Sequence, residues 1–293
     1  MLNAIRDLSN ENSGLLFKVS LRSDVYYLVR TSDESTDKIE GSVVWCKWTN
    51  HEILVLLIKR ILTYFGDSVD ENTLMKTPQL HLRFHLERVM ESTFSGRGKW
   101  ENVYMYKILM SLIRKRPRDL VKLCSLAAQQ AQQTNSPLIK TEHFQAIFEE
   151  YSQGRIQDTI NEYKSELPNI ENLLFGMRPT KKQRNASDGY IYTTAELIQK
   201  LNNIRQHTNF IFKNGRKASA NELAQFLYKI NFLTARKIVE SGEIQRKYFE
   251  ENRYISSSFV DFGYDWEVHP AFRWVLQPEN INEIFNKLAL SHD

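Results

Sequence analysis

The sequence predicts a mainly α protein with an incomplete α/β segment at its N-terminus and a small α+β domain at its C-terminus. Three observations favour this fold class. The 293-residue chain has only 11 glycines and 7 prolines, too few for the tight turns of an all-β sandwich, since typical usage is about 7% and 5%. Apolar residues recur at helical spacing in several separate segments between residues 51 and 230. Runs that are typical of strands are confined to the two ends of the chain.

The N-terminal segment combines a short helix with two strand candidates. Residues 1–12 predict a helix that stops at a Ser-Gly pair. Residues 15–21 are mostly apolar without a helical stripe, which is typical of a strand buried in a parallel sheet. A second strand candidate, residues 42–48, precedes a strongly apolar helix at 51–65. Because a buried strand needs partners for its backbone groups, two strands are too few for a complete sheet. We therefore expect an open sheet edge that invites self-association.

The middle of the chain predicts a small helical bundle. Three helical segments cover residues 84–133, with a break at Pro117, and two more helices follow at 142–151 and 156–166. Residues 176–189 have no periodicity, two glycines and four basic residues, so we interpret them as a linker. The predicted domains are a partial α/β core at 1–66, the helical bundle at 67–176, the linker at 177–189 and a final domain at 190–293.

The final domain begins with two helices and ends in strands. Helix starts are predicted at Thr193 and, through a capping box, at Ser219. A short strand is then predicted at 232–237. Alternating apolar residues predict a hairpin built from 254–259 and 264–268. A short helix at 280–290 closes the domain. Two helices followed by a hairpin is the order of a winged-helix domain.

No self-contained catalytic centre is visible in the sequence. The phosphate-binding loop G-x-x-x-x-G-K-[ST] is absent, and no nucleophile lies in a recognisable frame. His81 and His85 could share a helix face, but a metal site needs a third ligand. Cys46 and Cys124 are too few for a disulfide scaffold or a zinc knuckle. The sequence therefore predicts neither catalytic residues nor a metal site.

Two arginine-bearing segments remain as candidate phosphate sites. Arg22 and Asp24 follow the first predicted strand, at the end where open α/β sheets bind ligands. Arg116 and Arg118 lie at the start of a helix, where a guanidinium and free backbone N–H groups can bind the same anion. The alternative is that each arginine pairs on the surface with a nearby carboxylate, such as Asp24 or Asp119.

Two short segments and the order of the domains resemble a known ATPase class. Residues 21–26 read Leu-Arg-Ser-Asp-Val-Tyr at the end of a strand, before a Trp-containing strand and a long apolar helix. Residues 115–120 read Lys-Arg-Pro-Arg-Asp-Leu, similar to the Gly-x-Pro-Arg segment of a helical lid, with Lys115 where glycine is common. These features resemble the sensor strand, lid and winged helix of bacterial P-loop ATPases of the AAA+/STAND class.

The resemblance implies a nucleotide-driven molecular switch. It makes Arg22, Asp24, Arg116 and Arg118 the candidates for sensing the nucleotide phosphates. The Walker A and Walker B segments of the class lie upstream of the matching region, which favours a truncated gene, a split protein or an internal start. ATP and Mg²⁺ are implied for a complete family member, whereas this chain alone is expected to bind no cofactor and to hydrolyse no ATP. The expected partner is an upstream ATPase half, and the resemblance places such switches in bacterial regulation and phage defence.

A DNA-binding regulator and a non-catalytic docking subunit are the alternatives. The net charge is only +4, but basic residues cluster at 97–122 and 178–184, and such clusters bind phosphate backbones. Against DNA binding, the final domain lacks a clearly basic third helix and its hairpin is acidic. No apolar run approaches the roughly 20 residues of a membrane span, and no signal peptide is recognisable. We therefore expect a cytoplasmic protein without membrane contact.

Overall fold

The residues described in the computed structural model are 2–21, 26, 41, 43–180, 189–238, 244–251 and 263–277. The chain divides into two units, Met1–Lys47 and Trp48–Asp293. Helices dominate the described residues, and the strands form two small antiparallel sheets, which confirms the prediction of a mainly α protein. No helix in these ranges is long and apolar enough to cross a membrane.

The N-terminal unit begins with the predicted helix, α1 (Leu2–Glu11). The two predicted strands are absent from its described residues, because 15–21 and 43–47 run without strand pairing. Leu16 is 94% exposed and Val44 is 86% exposed. The predictions of a buried strand at 15–21 and of a second strand at 42–48 are therefore wrong over the described residues.

The physical reason is that an apolar run does not make a strand by itself. Strand backbone groups need hydrogen-bonding neighbours, and an isolated pair of strands is at best marginally stable in water. The described part of this unit supplies no paired strand. The described residues of this unit therefore contain no strand that could form the open sheet edge expected to mediate self-association.

The second unit begins with a helical part. Helix α2 (Asn50–Tyr64) confirms the predicted apolar helix, and its N-terminus is closed by a capping box between Thr49 and Glu52. Its buried face packs in the first of two apolar cores. The helices that follow are α3 (Glu71–Lys76), α4 (Gln79–Leu86), α5 (Met105–Leu112), α6 (Pro117–Gln133), α7 (Thr141–Tyr163) and α8 (Ile170–Gly176).

The first helical segment of the predicted bundle is shorter than expected. After α4 the chain forms a two-stranded antiparallel hairpin, β1 (Thr93–Phe94) with β2 (Val103–Tyr104). The turn between them contains Gly98, whose φ of 70° is in the left-handed region that favours glycine. This reversal places the Phe94 ring in the core, edge-on to Trp100.

Helix α7 replaces two shorter helices predicted on either side of Gly154. It runs unbroken for 23 residues, although a glycine inside a helix costs about 1 kcal/mol relative to alanine. Both halves of α7 bury apolar side chains, and this burial offsets the cost because roughly 25 cal/mol is gained per Å² of apolar surface.

The α+β part occupies residues 189–277. Both of its helices begin where predicted, and each begins with a capping box, at Thr193 and at Ser219. The four-stranded antiparallel sheet has the order β3-β6-β4-β5. Its elements are β3 (Ile191–Tyr192), α9 (Thr194–His207), α10 (Ala220–Lys229), β4 (Leu233–Ile238), β5 (Ile244–Lys247), β6 (Asp265–Val268), a 3-10 turn (Pro270–Phe272) and α11 (Arg273–Leu276).

Strands β4 and β6 confirm the strands predicted at 232–237 and 264–268. Strand β6 pairs with both β3 and β4, and β5, which was not predicted, forms the hairpin with β4. Outside the described residues lie the predicted strand at 254–259, the predicted helix at 280–290 and the middle of the predicted linker, 181–188.

Two segments contribute to both apolar cores of the second unit. Helix α7 places Phe148 in the first core and Ile160 in the second. Residues 270–276 place Trp274 in the first core and Phe272 in the second. We call residues 270–276 the clasp, because they join the helical part to the α+β part.

Candidate functional site

The predicted phosphate-sensing residues Arg116 and Arg118 lie together at the N-terminus of α6. Arg116 is the N-cap residue, and Arg118 is in the first turn. Glu162, on α7, accepts hydrogen bonds from both: Arg116 Nη1 lies 3.2 Å and Arg118 Nη2 lies 3.4 Å from its Oε2. The structure therefore brings two of the four predicted residues together on a carboxylate that is 46 and 44 residues away in sequence.

This group of three residues is the candidate anion-contacting site. Burial acts to lower the pKa of Arg116, but Glu162 and the other acidic groups nearby together outweigh burial, so that the pKa is raised and the guanidinium stays charged. The Arg118 side chain is 58% exposed. Two guanidinium groups therefore face one carboxylate, next to the backbone N–H groups of the first turn of α6.

The other two predicted site residues, Arg22 and Asp24, lie outside the described residues. Their position relative to Arg118 stays a prediction.

Asp119, offered above as a surface partner for the arginines, is instead buried in a separate ionic cluster. Arg114 Nε lies 2.9 Å from Asp119 Oδ2, and Arg155 Nη1 lies 2.5 Å from Asp119 Oδ1. Arg114 also donates to Thr159 Oγ1 at 3.0 Å. Burial acts to raise the pKa of Asp119, but the nearby Arg114 and Arg155 outweigh it and hold the pKa well below its usual range. We call these four residues the Asp119 cluster.

A second buried cluster surrounds Glu267 on β6. Arg246 on β5 makes a bidentate contact with it, Nε to Oε2 at 2.7 Å and Nη2 to Oε1 at 3.0 Å. Arg273 in the clasp donates to Glu267 Oε1, and Arg236 lies 3.9 Å away. Burial opposes ionisation, but the arginines lower the pKa of Glu267 to about 2. We call these four residues the Glu267 cluster.

His269 lies at the start of the clasp and is fully buried. Its Nδ1 accepts a hydrogen bond from the Ala271 N–H at 3.1 Å, which caps the 3-10 turn. Its Nε2 lies 3.1 Å from the Tyr248 hydroxyl. Burial, and then the positive charges of Arg246 and Arg114, lower the pKa of His269 to about 3. The imidazole is therefore neutral, with Nδ1 unprotonated because it acts as an acceptor.

The clasp is anchored on the helical part by both aromatic and polar contacts. The Trp274 ring stacks on Phe148 with 4.7 Å between the ring centroids. Ser152, one turn along α7, accepts a hydrogen bond from the Val275 N–H at 3.1 Å. The Arg114 guanidinium lies 5.3 Å from the centroid of the Phe272 ring.

With this geometry described, one comparison bears on the helical part. Residues 79–160 match FunZ_C, a FunZ-associated C-terminal helical domain. No curated protein and no solved structure matches the chain. The FunZ_C region begins at α4 and ends within α7. It contains Arg116, Arg118 and the whole Asp119 cluster, whereas Glu162, the Glu267 cluster and the clasp lie outside it.

The clasp completes the core of the FunZ_C region from outside. Trp274 and Ala271 belong to the first apolar core, which is otherwise built from the helical part. Trp100 and Phe148, both in the FunZ_C region, contact the Trp274 ring. In this chain the FunZ_C region and the α+β part therefore pack as one structure.

The buried clusters are poor candidates for proton transfer. A carboxylate with a pKa far below neutral is a weak general base, and both Asp119 and Glu267 are held ionised by arginines. Within the described ranges, no group of three or more His, Cys, Asp and Glu side chains is placed to hold a metal ion. The arrangement is suited to holding elements together and, at Arg116 and Arg118, to contacting an anion.

Sequence reasoning did not identify the carboxylates that pair with Lys115, Arg116 and Arg118. Lys115 pairs with Glu251, and Arg116 and Arg118 pair with Glu162. These partners are distant in sequence, so no local spacing signals the pairing. For Glu267 a signal exists, since it lies between the apolar residues Trp266 and Val268 of a strand.

Proposed function

We propose that this chain is a non-catalytic coupling portion of a larger protein, in which the helical part and the α+β part move as one body. The observation that carries the proposal is that α7 and the clasp each contribute side chains to both apolar cores. Separating the two parts would expose Trp274 and Phe272, and burying one such aromatic side chain is worth about 1.5–3 kcal/mol. FunZ_C is described as a C-terminal domain, which supports a place near the end of a larger protein.

At the finer level, we propose that the larger protein is a P-loop ATPase switch in bacterial regulation or phage defence. The support is the resemblance of residues 21–26 and 115–120 to the sensor strand and lid of that class. In this proposal Arg116 and Arg118 contact the nucleotide phosphates, together with Arg22 and Asp24. ATP and Mg²⁺ are held by the upstream ATPase half, and this chain supplies the contacts that respond to the phosphates.

The shared cores affect how such a switch would work. A lid and a winged helix that repack against each other would have to break the Trp274 and Ser152 contacts between them. These contacts are kept if the helical part and the α+β part move together. We therefore propose that nucleotide-dependent closure moves the second unit as a whole.

The test is nucleotide binding by the protein joined to, or mixed with, its upstream ATPase half. The variant Arg118→Ala removes one charged donor, and its exposed side chain contributes little packing. A hydrogen bond to a charged group is worth about 1.5–3 kcal/mol, so we expect the affinity for a fluorescent ATP analogue to fall roughly tenfold or more.

The matched control is Lys122→Ala, which removes an exposed positive charge four residues further along α6. It should leave the affinity within about twofold, because it lies a full turn away from the helix N-terminus. Equal losses in the two variants, or no loss in Arg118→Ala, would reject Arg118 as a phosphate contact and leave the docking-subunit alternative.

DNA binding receives less support from the structure. Of the basic stretch at 97–122, Arg114 is buried with Asp119, and Lys115 is paired with Glu251. Helix α10 buries most of its apolar side chains, and its acidic residue Glu222 is engaged in the N-terminal capping box. Neither feature is typical of a helix that enters a DNA groove.

A further inference from the structure

His269 occupies a position where a proton would disrupt the contact between the two parts of the second unit. Its Nδ1 caps the 3-10 turn by accepting the Ala271 N–H at 3.1 Å. The turn leads directly into Trp274, whose ring stacks on Phe148 of the helical part. A protonated imidazolium carries a hydrogen on both ring nitrogens, so it cannot accept this bond.

The surroundings of His269 also disfavour a positive charge. Arg246 on β5 and Arg114, in the segment between α5 and α6, repel a proton on the ring, while Glu267 and Asp119 attract it less strongly. The hydroxyl on the other side belongs to Tyr248, whose own pKa is raised by burial, so it remains neutral. Three further charged groups lie near the ring. Arg273 donates to Glu267, and Lys115 and Glu251 both contact Tyr248.

From this geometry we propose that the clasp is a proton-sensitive latch: protonation of His269 releases residues 270–276 from the helical part. The proposal goes beyond the coupling function, and it does not depend on whether the larger protein is a P-loop ATPase. It states when the two parts separate, whereas the coupling function states what they do while joined.

The sign of the effect follows from the proton count of the two states. The pKa of His269 is lowered in the closed state, so the open state binds more protons, and acid favours opening. With an ordinary histidine pKa of about 6.5 in the open state and about 3 in the closed state, lowering the pH from about 7 to about 5 raises the opening constant roughly 25-fold. The lowered carboxylate pKa values contribute only below about pH 4.5, so this pH window isolates histidine.

The test is hydrogen exchange of the clasp amides in the full chain at pH 7 and pH 5, corrected for the intrinsic exchange rates. We expect protection of residues 271–276 to fall roughly 25-fold in the natural protein. His269→Asn should abolish most of this fall, because the asparagine oxygen accepts the same cap bond and does not titrate. His207→Asn, at the exposed end of α9, is the matched control and should behave as the natural protein.

Amides of α2 report opening of the helical part and distinguish release of the clasp from complete unfolding. The proposal is overturned if His269→Asn loses as much protection as the natural protein, or if α2 and the clasp lose protection equally. Should His269→Asn fail to fold, the natural protein still decides the question. The logarithm of its opening constant must rise by about one for each pH unit lowered between pH 6 and about pH 4.5, the range in which the carboxylates do not contribute. A slope near zero overturns the latch.

Discussion

Replacing Asp119 by asparagine removes the negative charge of the Asp119 cluster while keeping the shape of the side chain. The Asp119 side chain is fully buried, and those of Arg114 and Arg155 are 1% and 6% exposed. The variant therefore leaves two buried guanidinium groups without the carboxylate that balances them. Such a charge is costly because its hydration is lost and its partner is absent.

Removing one partner of a buried ion pair costs about 3–5 kcal/mol. Two contacts of the cluster survive in Asp119→Asn: Arg114 still reaches Thr159 Oγ1 at 3.0 Å, and Arg155 still reaches Asp158 at 2.9 Å. These contacts offset part of the loss, so we expect the free energy of unfolding to fall by about 3 kcal/mol.

The assay is urea unfolding monitored by circular dichroism. The free energies are compared with one common slope of unfolding free energy against urea concentration for all variants. Asp158→Asn is the matched control, because Asp158 pairs with the same Arg155 but is 45% exposed. A pair of that exposure is worth at most about 1 kcal/mol. The reasoning is refuted if Asp119→Asn costs less than about 1 kcal/mol or no more than Asp158→Asn.

Acid provides a second readout on the same variant. The pKa of Asp119 is lowered by folding, so its contribution to stability is present above an ordinary aspartate pKa of about 3.9 and is lost as the pH falls below that value. We expect the natural protein to lose stability below about pH 4 more steeply than Asp119→Asn, which lacks this titration. Parallel curves would contradict the assignment.

Three further predictions follow from the same structure. Trp274→Ala should lower the free energy of unfolding by about 3–5 kcal/mol in urea titrations, whereas Phe84→Ala, at an exposed ring, should change it by less than about 1 kcal/mol. Ellman's reagent should modify one thiol rapidly, since Cys46 is exposed whereas burial raises the pKa of Cys124 to about 12; two equally fast thiols would disprove this. The chain purified alone should release phosphate from ATP at the buffer rate, and turnover that Arg118→Ala abolishes would overturn this expectation.

Local signals in the sequence predicted the elements that depend on local chemistry. The capping boxes at Thr49, Thr193 and Ser219 satisfy backbone donors within one turn, so the helices that follow them could be located from spacing alone. Strand β4 was also predicted, at the run Phe-Leu-Thr-Ala-Arg-Lys of residues 232–237.

Elements that depend on distant partners were not predictable in this way. The apolar run at 15–21 has the composition of a buried strand, but no strand in the described residues pairs with it. Strand β5 reads Ile-Gln-Arg-Lys, a short polar run that becomes a strand because β4 lies beside it. Arg114 looks like one more member of a basic surface stretch, yet it is buried because Asp119 and Thr159 bind it.

The same principle governs the candidate site. Arg116 and Arg118 were selected because they begin a helix, and they do lie together there. Their partner Glu162 comes from the next helix, and only the packing of α6 against α7 makes the three residues neighbours. A sequence pattern could therefore predict the cations of the site but not the carboxylate that holds them.

The charge of the two buried clusters links the rigidity of the second unit to its expected response to acid. Arg114 and Arg155 face the carboxylate of Asp119, and three arginines lie within 4 Å of Glu267. In each cluster the arginines outnumber the carboxylate. One arginine from each cluster, Arg114 and Arg246, lowers the pKa of His269. The arginines that stabilise the joined body therefore keep His269 neutral. Because the arginines raise the free-energy cost of protonating His269 in the closed state, protonation favours the open state, in which the clasp is detached from the helical part. We therefore expect acid to act first at the junction between the two parts.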